Sequence, residues 1–250
     1  MTQETVDPDT APARASQAAV RAAAQLGSGG RGLGRQRVLN AAVAFIDEQG
    51  LRQLSMRRLG AYLGVDAMAL YRYIPSKENL LDGIVELVID ELYSDPDVHL
   101  STSPHDWQDY LRRLAHGVRR IALAHPQLFP LVATRPPAAP WVRPPLRSLR
   151  WMESFLQTLL DRGFSDPAAV AAYRAFSSFL LGHLLLEVSG LGVDIGPVEE
   201  PDPDQPAGGD LSEYPQLMRL QSELSQDHSA AEFTQSLENL LERLTLLATP

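Results

Sequence analysis

The segment from Ser55 to Lys77 constrains the fold of this 250-residue chain more than any other part of it. Its sequence, SMRRLGAYLGVDAMALYRYIPSK, has apolar residues at helical spacing before and after Gly64. Ser55 and Asp66 are suited to cap two helices, and Pro75 cannot continue the second one. Two short helices joined by such a turn form a helix-turn-helix, whose second helix can enter a DNA major groove. The segment therefore predicts DNA binding rather than catalysis.

Helical patterns also fill the rest of the chain. A helix is expected to end at Gly50, and Ser76 is suited to cap a long helix with a buried apolar side. Further helices are predicted near 104–124, 127–134, 141–162, 167–189, 213–226 and 230–247. Sustained alternation of apolar and polar residues is absent, so we expect an all-α protein. Its N-terminal three-helix domain would contain the helix-turn-helix, and a larger helical domain would follow.

Composition divides the chain into three parts. Residues 1–30 are rich in Ala, Pro, Thr, Gln and Gly, and we expect a disordered arm. Residues 31–79 are assigned to the DNA-binding domain and 80–250 to a helical ligand-binding and dimerisation domain. Within the latter, residues 190–212 hold six acidic residues, four Pro and five Gly, which predicts a mobile acidic loop.

The net charge of −9 is unevenly distributed along the chain. Residues 31–77 carry eight basic residues against three acidic ones, whereas residues 78–250 carry twelve Arg against 25 acidic residues. A basic helix-turn-helix matches the phosphate backbone of DNA, while the acidic remainder repels DNA and helps to orient the protein. A non-specific architectural DNA-binding protein is expected to be basic overall, so the charge pattern favours a regulator.

Other classes of protein are disfavoured. Without cysteine the chain has no disulfide framework, thiolate nucleophile or Cys-based zinc site, which fits a cytoplasmic protein. It contains no P-loop, nucleophile elbow, HExxH motif or paired-carboxylate helix, so we predict no enzyme, no cofactor and no metal. No uninterrupted apolar run approaches about 18 residues and the N-terminus is acidic, so neither a membrane span nor a signal peptide is expected.

Side chains around the second helix of the motif suit DNA recognition. Arg72 is the best candidate for a hydrogen bond to guanine, and Tyr71 and Tyr73 can place hydroxyls on phosphate. Lys77, the only lysine, lies at a helix N-terminus, where backbone N–H groups and the helix dipole already favour a phosphate. Arg58 is expected to meet the DNA backbone.

The stretch from Phe45 through Leu81, above all LGVDAMALYRYIPSKENLL, closely resembles the DNA-binding domain of the TetR family of bacterial transcriptional repressors. The resemblance covers about residues 35–92. It implies a homodimeric repressor that a small-molecule effector of unknown identity releases from a palindromic double-stranded DNA operator. It also implies DNA contacts at Met56, Arg57, Met68, Ala69, Tyr71, Arg72, Tyr73 and Lys77.

Later segments resemble the C-terminal domain of tetracycline-repressor-type members more weakly, through AHPQLFPL, LLDRGFSD and EFTQSLENLLERL. The implied dimer would form through the helices near 167–189 and 230–247. Their apolar candidates are Phe176, Phe179, Leu180, Leu184, Phe233, Leu237, Leu240, Leu241 and Leu244. The large or polar-tipped candidates for a ligand pocket are Trp107, Tyr110, His116, Phe129, Trp141, Trp151, Met152, Phe155, Phe176 and His183.

Several alternatives stay open at this stage. An activator or a ligand-independent regulator would use the same helix-turn-helix. Aromatic residues at helical spacing also fit an ordinary core, and some interface candidates also fit packing within one subunit. His183 and Glu187 are four residues apart on one helix face, a spacing that suits either a metal site or a hydrogen-bonded pair, and we favour the pair.

Overall fold

The computed structural model describes residues 33–95, 98, 107–135, 149–195 and 213–248. These residues form α-helices and a short 3₁₀ turn without any β-strand, so the expected all-α fold is confirmed. The first helices are α1 Arg35–Gln49, α2 Met56–Leu63, α3 Ala67–Tyr71, α4 Lys77–Ser94 and α5 Trp107–Ala124. They are followed by α6 Phe129–Thr134, α7 Leu149–Asp161, α8 Asp166–Gly190, α9 Pro215–Leu224 and α10 Ser229–Ala248. The predicted arm at 1–30 and most of the predicted loop at 190–212 lie outside the described residues.

The first three helices and most of α4 share one apolar core. The apolar stripe of α1 is buried against α2 and α4, with Val38 and Ile46 fully enclosed. Leu59 of α2 and Leu70 of α3 complete the packing of the helix-turn-helix onto α1. This core extends along α4 as far as Val88, beyond the boundary at residue 79 that composition indicated.

A second core fills the larger domain, and α8 runs through its centre. This helix contacts α5, α6, α7 and α10, and its side chains Phe176, Leu180 and Leu184 are almost completely buried. Phe155 from α7 and Phe233 from α10 pack into the same core. Burial of these large apolar side chains is the main source of stability for such a domain.

Among the described helices, α8 is the one whose length and apolar composition would allow it to cross a membrane. Its apolar face is buried against four other helices of the chain. A helix that packs against several others in a helical bundle has this apolar composition without crossing a membrane.

The two cores meet at α6. Leu128, at the start of this short helix, and Leu131 belong to the core of the DNA-binding domain, although they are distant from it in sequence. Phe129 and Ala133 belong to the core of the larger domain. The short helix therefore packs into both domains at once.

Candidate DNA interface and ligand cavity

Two capped helices and one close backbone approach build the helix-turn-helix. The Ser55 Oγ accepts a hydrogen bond from the Arg58 backbone N–H at 3.2 Å, and the Asp66 Oδ1 accepts one from the Met68 backbone N–H at 2.7 Å. At Gly60, a Cβ would come within 2.9 Å of a backbone carbonyl oxygen in the turn. The predicted caps are confirmed, and glycine at position 60 lets α2 approach the start of α3.

Helix α3 and the residues after it have a buried face and an exposed face. Leu70 is fully buried, and Ile74 is in the same core. Met68 is 71% exposed, Tyr71 41% and Tyr73 39%. These large side chains in a short segment form a contact surface on the outside of the motif.

The four basic residues of the same motif are also exposed, namely Arg57, Arg58, Arg72 and Lys77. The Ser76 Oγ accepts a hydrogen bond from the Asn79 backbone N–H at 3.1 Å and thereby caps α4. The cap places Lys77 in the first turn of α4, where the positive end of the helix dipole favours an anion. The helix-turn-helix surface is defined here as Arg57, Met68, Tyr71, Arg72, Tyr73 and Lys77.

Two residues of the motif are placed differently from the expectation. Met56 is only 6% exposed and packs in the domain core, so its side chain supports α2 and is not presented on the surface. Arg58 donates a hydrogen bond to Gln53 and lies 5.8 Å above the centre of the Phe45 ring, so its guanidinium binds the protein itself. Ala69 is half-buried.

A cavity of about 60 Å³ lies between α4 and the larger domain. Its walls are Val88, Ile89 and Leu92 of α4, Val118 and Ile121 of α5, Phe129 and Val132 of α6, Trp151 of α7, and Ser177, Leu180 and Leu181 of α8. Ser177 is the one polar residue among these described walls. It is 1% exposed, and its Oγ has no hydrogen-bond partner in the part of the chain that the structure describes.

Helix α6 separates this cavity from the DNA-binding domain. Phe129 and Val132 face the cavity, whereas Leu128 and Leu131 pack among the side chains of the DNA-binding core. Because packed interiors are dense and barely compressible, a change on the cavity side of α6 is transmitted to its other side.

An ion-pair cluster fixes the end of α6 to α4. The Arg135 guanidinium lies 2.8 Å from Asp82 Oδ1 and 2.5 Å from Glu78 Oε2. It also donates a hydrogen bond of 3.2 Å to the backbone carbonyl of Glu78. These partners are in the first turns of α4, next to Lys77, so the C-terminal end of α6 is tied to the helix-turn-helix surface.

A half-buried histidine in the turn before α6 fixes this end of the helix to α1. His125 Nδ1 lies 2.7 Å from Asp47 Oδ2, and its Nε2 lies 3.8 Å from Glu91 Oε2. Burial alone would lower the pKa of His125, but the hydrogen bond to Asp47 and the charges of the Asp47 and Glu91 carboxylates outweigh it and raise the pKa to about 9. His125 is therefore protonated at neutral pH and links α1, α4 and α6.

A third ion pair joins the domains at a different place. Arg52, in the turn between α1 and α2, lies 2.5 Å from Asp194, just beyond the end of α8. Both side chains are about half exposed, so this pair contributes less than about 1 kcal/mol to stability.

Of the ten predicted pocket residues, Phe129 and Trp151 line the cavity. Trp141 lies outside the described residues. Three others are buried in the core beside the cavity, namely Met152, Phe155 and Phe176. The walls that sequence reasoning missed are mostly aliphatic, and only Ser177, a polar residue within an apolar helix, offered a signal.

The other four candidates pack around the edge of the same core. The rings of His116 and His183 lie 5.5 Å and 5.2 Å from the Phe233 ring, measured between centroids. Burial lowers the pKa of His116, so this side chain favours its neutral form. Trp107 and Tyr110 are partly buried against the same core.

Most of the predicted dimer-interface residues are already buried inside their own chain. Seven of the nine are at most 3% exposed: Phe176, Leu180, Leu184, Phe233, Leu237, Leu241 and Leu244. They form the contact between α8 and α10 within one subunit. Only Phe179 and Leu240 are partly exposed. Those seven side chains therefore belong to the core of one subunit. The sequence prediction chose them because the apolar pattern does not distinguish the two faces of each helix.

The favoured hydrogen-bonded pair of His183 and Glu187 is wrong, because each side chain has a different partner. The Glu187 carboxylate is held by the Arg119 guanidinium, with a shortest distance of 2.5 Å. His183 instead packs against aromatic rings. Within the described residues, no group of three or more His, Asp or Glu side chains is arranged to hold a metal ion.

These features define a class of protein: a helix-turn-helix DNA-binding domain joined to a helical domain that contains a small cavity. Residues 38–84 match the family described as bacterial regulatory proteins, tetR family. Residues 101–246 match the family described as tetracyclin repressor-like, C-terminal domain. The second match alone covers more than half of the chain, and the chain therefore belongs to the tetracycline-repressor family of bacterial regulatory proteins.

Relatives and solved structures agree with this assignment. An HTH-type transcriptional regulator of Saccharopolyspora erythraea is 30% identical over 62% of this chain and 61% of its own length. The transcriptional repressor DrrR1 of Streptomyces coeruleorubidus is 32% identical over 58% of this chain and 50% of its own. The chain thus spans about half to two thirds of these relatives. A possible TetR family regulator from Streptomyces coelicolor has a similar structure, with a TM-score of 0.66 and 29% identity over 85% of this chain and 99% of that one.

Proposed function

We propose that this protein is a dimeric transcriptional repressor that binds a palindromic DNA operator and leaves it when a small molecule enters the cavity. The observation that carries the proposal is the exposed helix-turn-helix surface, mounted on a domain whose core is shared with the cavity wall α6. Relatives described as repressors, such as DrrR1 and the tetracycline repressor class D of Escherichia coli, support the direction of control.

Each side chain of the helix-turn-helix surface has a role that its chemistry suggests. Arg72 follows directly after α3 and is the candidate for bidentate contact with guanine in the major groove. Met68, the most exposed apolar residue of α3, suits contact with a thymine methyl group. Arg57 and Lys77 suit phosphates on either side of α3, which position the protein without reading sequence.

A second copy of the chain is expected on the outer faces of α8 and α10. Leu186 of α8 is 72% exposed and Leu246 of α10 is 77% exposed, although both helices have well-filled inner faces. Exposed leucines on two neighbouring long helices suit a four-helix contact between subunits. A two-fold dimer can place two α3 helices about 34–36 Å apart, on successive major grooves.

Helix α9 adds a further apolar surface. Leu217 is 48% exposed, Met218 56% and Leu224 66%, and none of the residues of α9 is buried. This helix has no extensive contact with another described helix of its own chain. We include this face of α9 in the proposed dimer contact.

The cavity is coupled to the DNA-binding domain through α6. A ligand that needs more room than about 60 Å³ must displace cavity walls, and α6 is the shortest helix among them. Its anchors at His125 and Arg135 reach α1 and α4, so a shift of α6 moves the helices that carry the DNA surface. A ligand that favours the shifted conformer weakens DNA binding by the same free energy with which DNA weakens ligand binding.

Binding to a random-sequence duplex tests the DNA-binding surface without knowledge of the operator. We expect binding measured by fluorescence anisotropy to weaken steeply between about 50 and 200 mM salt. Lys77→Ala and Arg57→Ala should reduce both the affinity and the salt dependence, by about one released counterion for each phosphate contact. Arg219→Ala removes an exposed arginine on α9 and should change neither quantity. If all three variants had the same affinity and the same salt dependence, DNA binding would belong to another surface or would not occur.

A further inference from the structure

The chemistry of the cavity restricts the kind of molecule that it accepts. Ten of its eleven described wall residues are aliphatic or aromatic, and none is charged. Moving a charge from water into such surroundings without a counter-charge is strongly unfavourable. An apolar molecule, in contrast, gains about 25 cal/mol for each Å² of apolar surface removed from water.

Charged side chains on the helices around the cavity are already engaged with other partners. Arg119 of α5 is bound by Glu187 of α8, and the Glu187 carboxylate is almost fully buried. Arg135 and His125, at the two ends of α6, hold carboxylates of α1 and α4. Recruiting Arg119 to a charged ligand would leave the buried Glu187 carboxylate unpaired, which is costly.

Ser177 is the exception in an otherwise apolar wall. The residue is 1% exposed and lines the cavity, and its Oγ has no hydrogen-bond partner among the described residues. Burial raises the pKa of Tyr173, one turn earlier in α8, to about 12. The Ser177 hydroxyl lies near the Tyr173 hydroxyl and partly opposes this rise. That contact lacks the geometry of a hydrogen bond to Oγ. Buried hydroxyls are normally paired, so the unpaired Oγ indicates a place for a ligand group.

We infer that the effector is an uncharged, mainly apolar molecule with one hydroxyl or carbonyl group that hydrogen-bonds to Ser177. This inference rests on the proposed function, since it names the chemical class that enters the proposed effector site. Shape adds a further condition: the space of about 60 Å³ is smaller than a two-ring molecule, so such a ligand must push Phe129 or Leu181 outward. Where Phe129 is the wall that moves, binding of the ligand also displaces α6.

Three naphthalene derivatives of matched ring size test the inference by calorimetry on the full chain. At neutral pH, 1-naphthol is uncharged with one hydroxyl, naphthalene has no polar group, and 1-naphthalenesulfonate is an anion. We expect 1-naphthol to bind and to quench the fluorescence of Trp151, and the sulfonate to bind at least about a hundredfold more weakly. Naphthalene should bind about three- to tenfold more weakly than 1-naphthol because it lacks the hydrogen bond.

Two serine variants locate the polar contact. In Ser177→Ala the difference in affinity between 1-naphthol and naphthalene should disappear, because the protein hydroxyl that hydrogen-bonds to 1-naphthol is gone. In Ser178→Ala, which removes an exposed hydroxyl from the next position of α8, the difference should persist. Leu181→Ala enlarges the cavity and should tighten the binding of 1-naphthol. Circular dichroism verifies that each variant is folded.

Three results would overturn the inference: sulfonate binding as tight as that of 1-naphthol, an unchanged difference between 1-naphthol and naphthalene in Ser177→Ala, or no binding of 1-naphthol to either the wild type or Leu181→Ala. Failure of the proposed function gives a different result. In that case 1-naphthol binds as expected but leaves the affinity for DNA unchanged in the anisotropy assay. Conversely, salt-dependent DNA binding together with any of the three overturning results leaves the DNA-binding function standing and removes only the ligand class.

Discussion

Two arginines of the helix-turn-helix show how single side chains decide its surface. Arg58 and Arg72 belong to the same motif, and both were expected to meet DNA. Both are exposed, but Arg58 is held by Gln53 and the Phe45 ring. Because the guanidinium of Arg58 already has partners in the protein, Arg72 is the better of these two candidates to read a base.

Arg72→Ala should therefore relax sequence preference at one base pair of each half-site, by about 1–3 kcal/mol if the contact is bidentate. Tyr73→Ala and Lys77→Ala should instead weaken binding to all duplexes by a similar factor. Affinities for a series of singly substituted operator duplexes distinguish the two patterns. An equal loss for Arg72→Ala on every duplex would remove this residue from base recognition.

At His125, the raised pKa predicts a dependence of stability on pH. The pKa of His125 is about 9 in the folded chain and about 6.5 in the unfolded one. The contribution of protonated His125 to the free energy of unfolding is therefore complete below pH 6.5 and disappears as pH rises through 9. This contribution is at most about 3 kcal/mol.

Urea unfolding at several pH values measures this effect. The free energy of unfolding should exceed that of His125→Asn at pH 6, and the difference should shrink towards pH 10. His228→Asn changes an exposed histidine between α9 and α10, and its free energy of unfolding should equal that of the wild type at every pH. A difference that does not change with pH would mean that the ion pairs with Asp47 and Glu91 are not formed.

At the scale of the helices, local rules predicted most of what the structure contains. Ser55, Asp66 and Ser76 each cap the helix that follows, because a short side-chain oxygen before an apolar run is a purely local signal. The partner of each apolar face is not local. The pattern of α10 is the same whether Leu237 faces its own α8 or a second subunit, which is why the interface residues were misplaced.

The cavity escaped sequence reasoning for a related reason. Val118 and Leu181 have the spacing of ordinary core residues, and nothing in a periodic pattern tells whether the space between two buried faces is filled. Large aromatic candidates were favoured instead, and most of them fill the core rather than line the cavity.

The revised interface leads to a pair of contrasting substitutions. Leu186→Glu changes an exposed residue and should give folded monomers, because a carboxylate is then placed in the apolar contact between subunits. Leu237→Glu places the same carboxylate in a fully buried site and should unfold the larger domain. Sedimentation velocity and circular dichroism separate the outcomes. A Leu186→Glu chain that stays dimeric would exclude this face of α8 from the interface.

At the scale of the whole molecule, α6 packs into the cores of both domains. Leu128 and Leu131 fill the DNA-binding core, and ion pairs hold both ends of the helix. A regulator needs such a connection because the effector site and the DNA surface must share one conformational change.

Arg135→Ala should loosen this connection without altering the helix-turn-helix surface. Its side chain is 13% exposed and joins two carboxylates of α4, so its removal should speed hydrogen exchange in peptides that cover α4 and α6. Arg219→Ala, at an exposed arginine of α9, should leave exchange in both helices unchanged. Identical exchange in the two variants would show that the Arg135 cluster does not hold the domains together.

Selection of bound duplexes from a random DNA pool, at one stated salt concentration, tests the central claim that the molecule is a dimeric, sequence-specific regulator. The exposed α3 and the two-fold arrangement predict an inverted repeat whose half-sites are separated by about one helical turn, or a little more, from centre to centre. Recovery of duplexes without any common sequence, by a chain shown to be folded and dimeric, would contradict that claim.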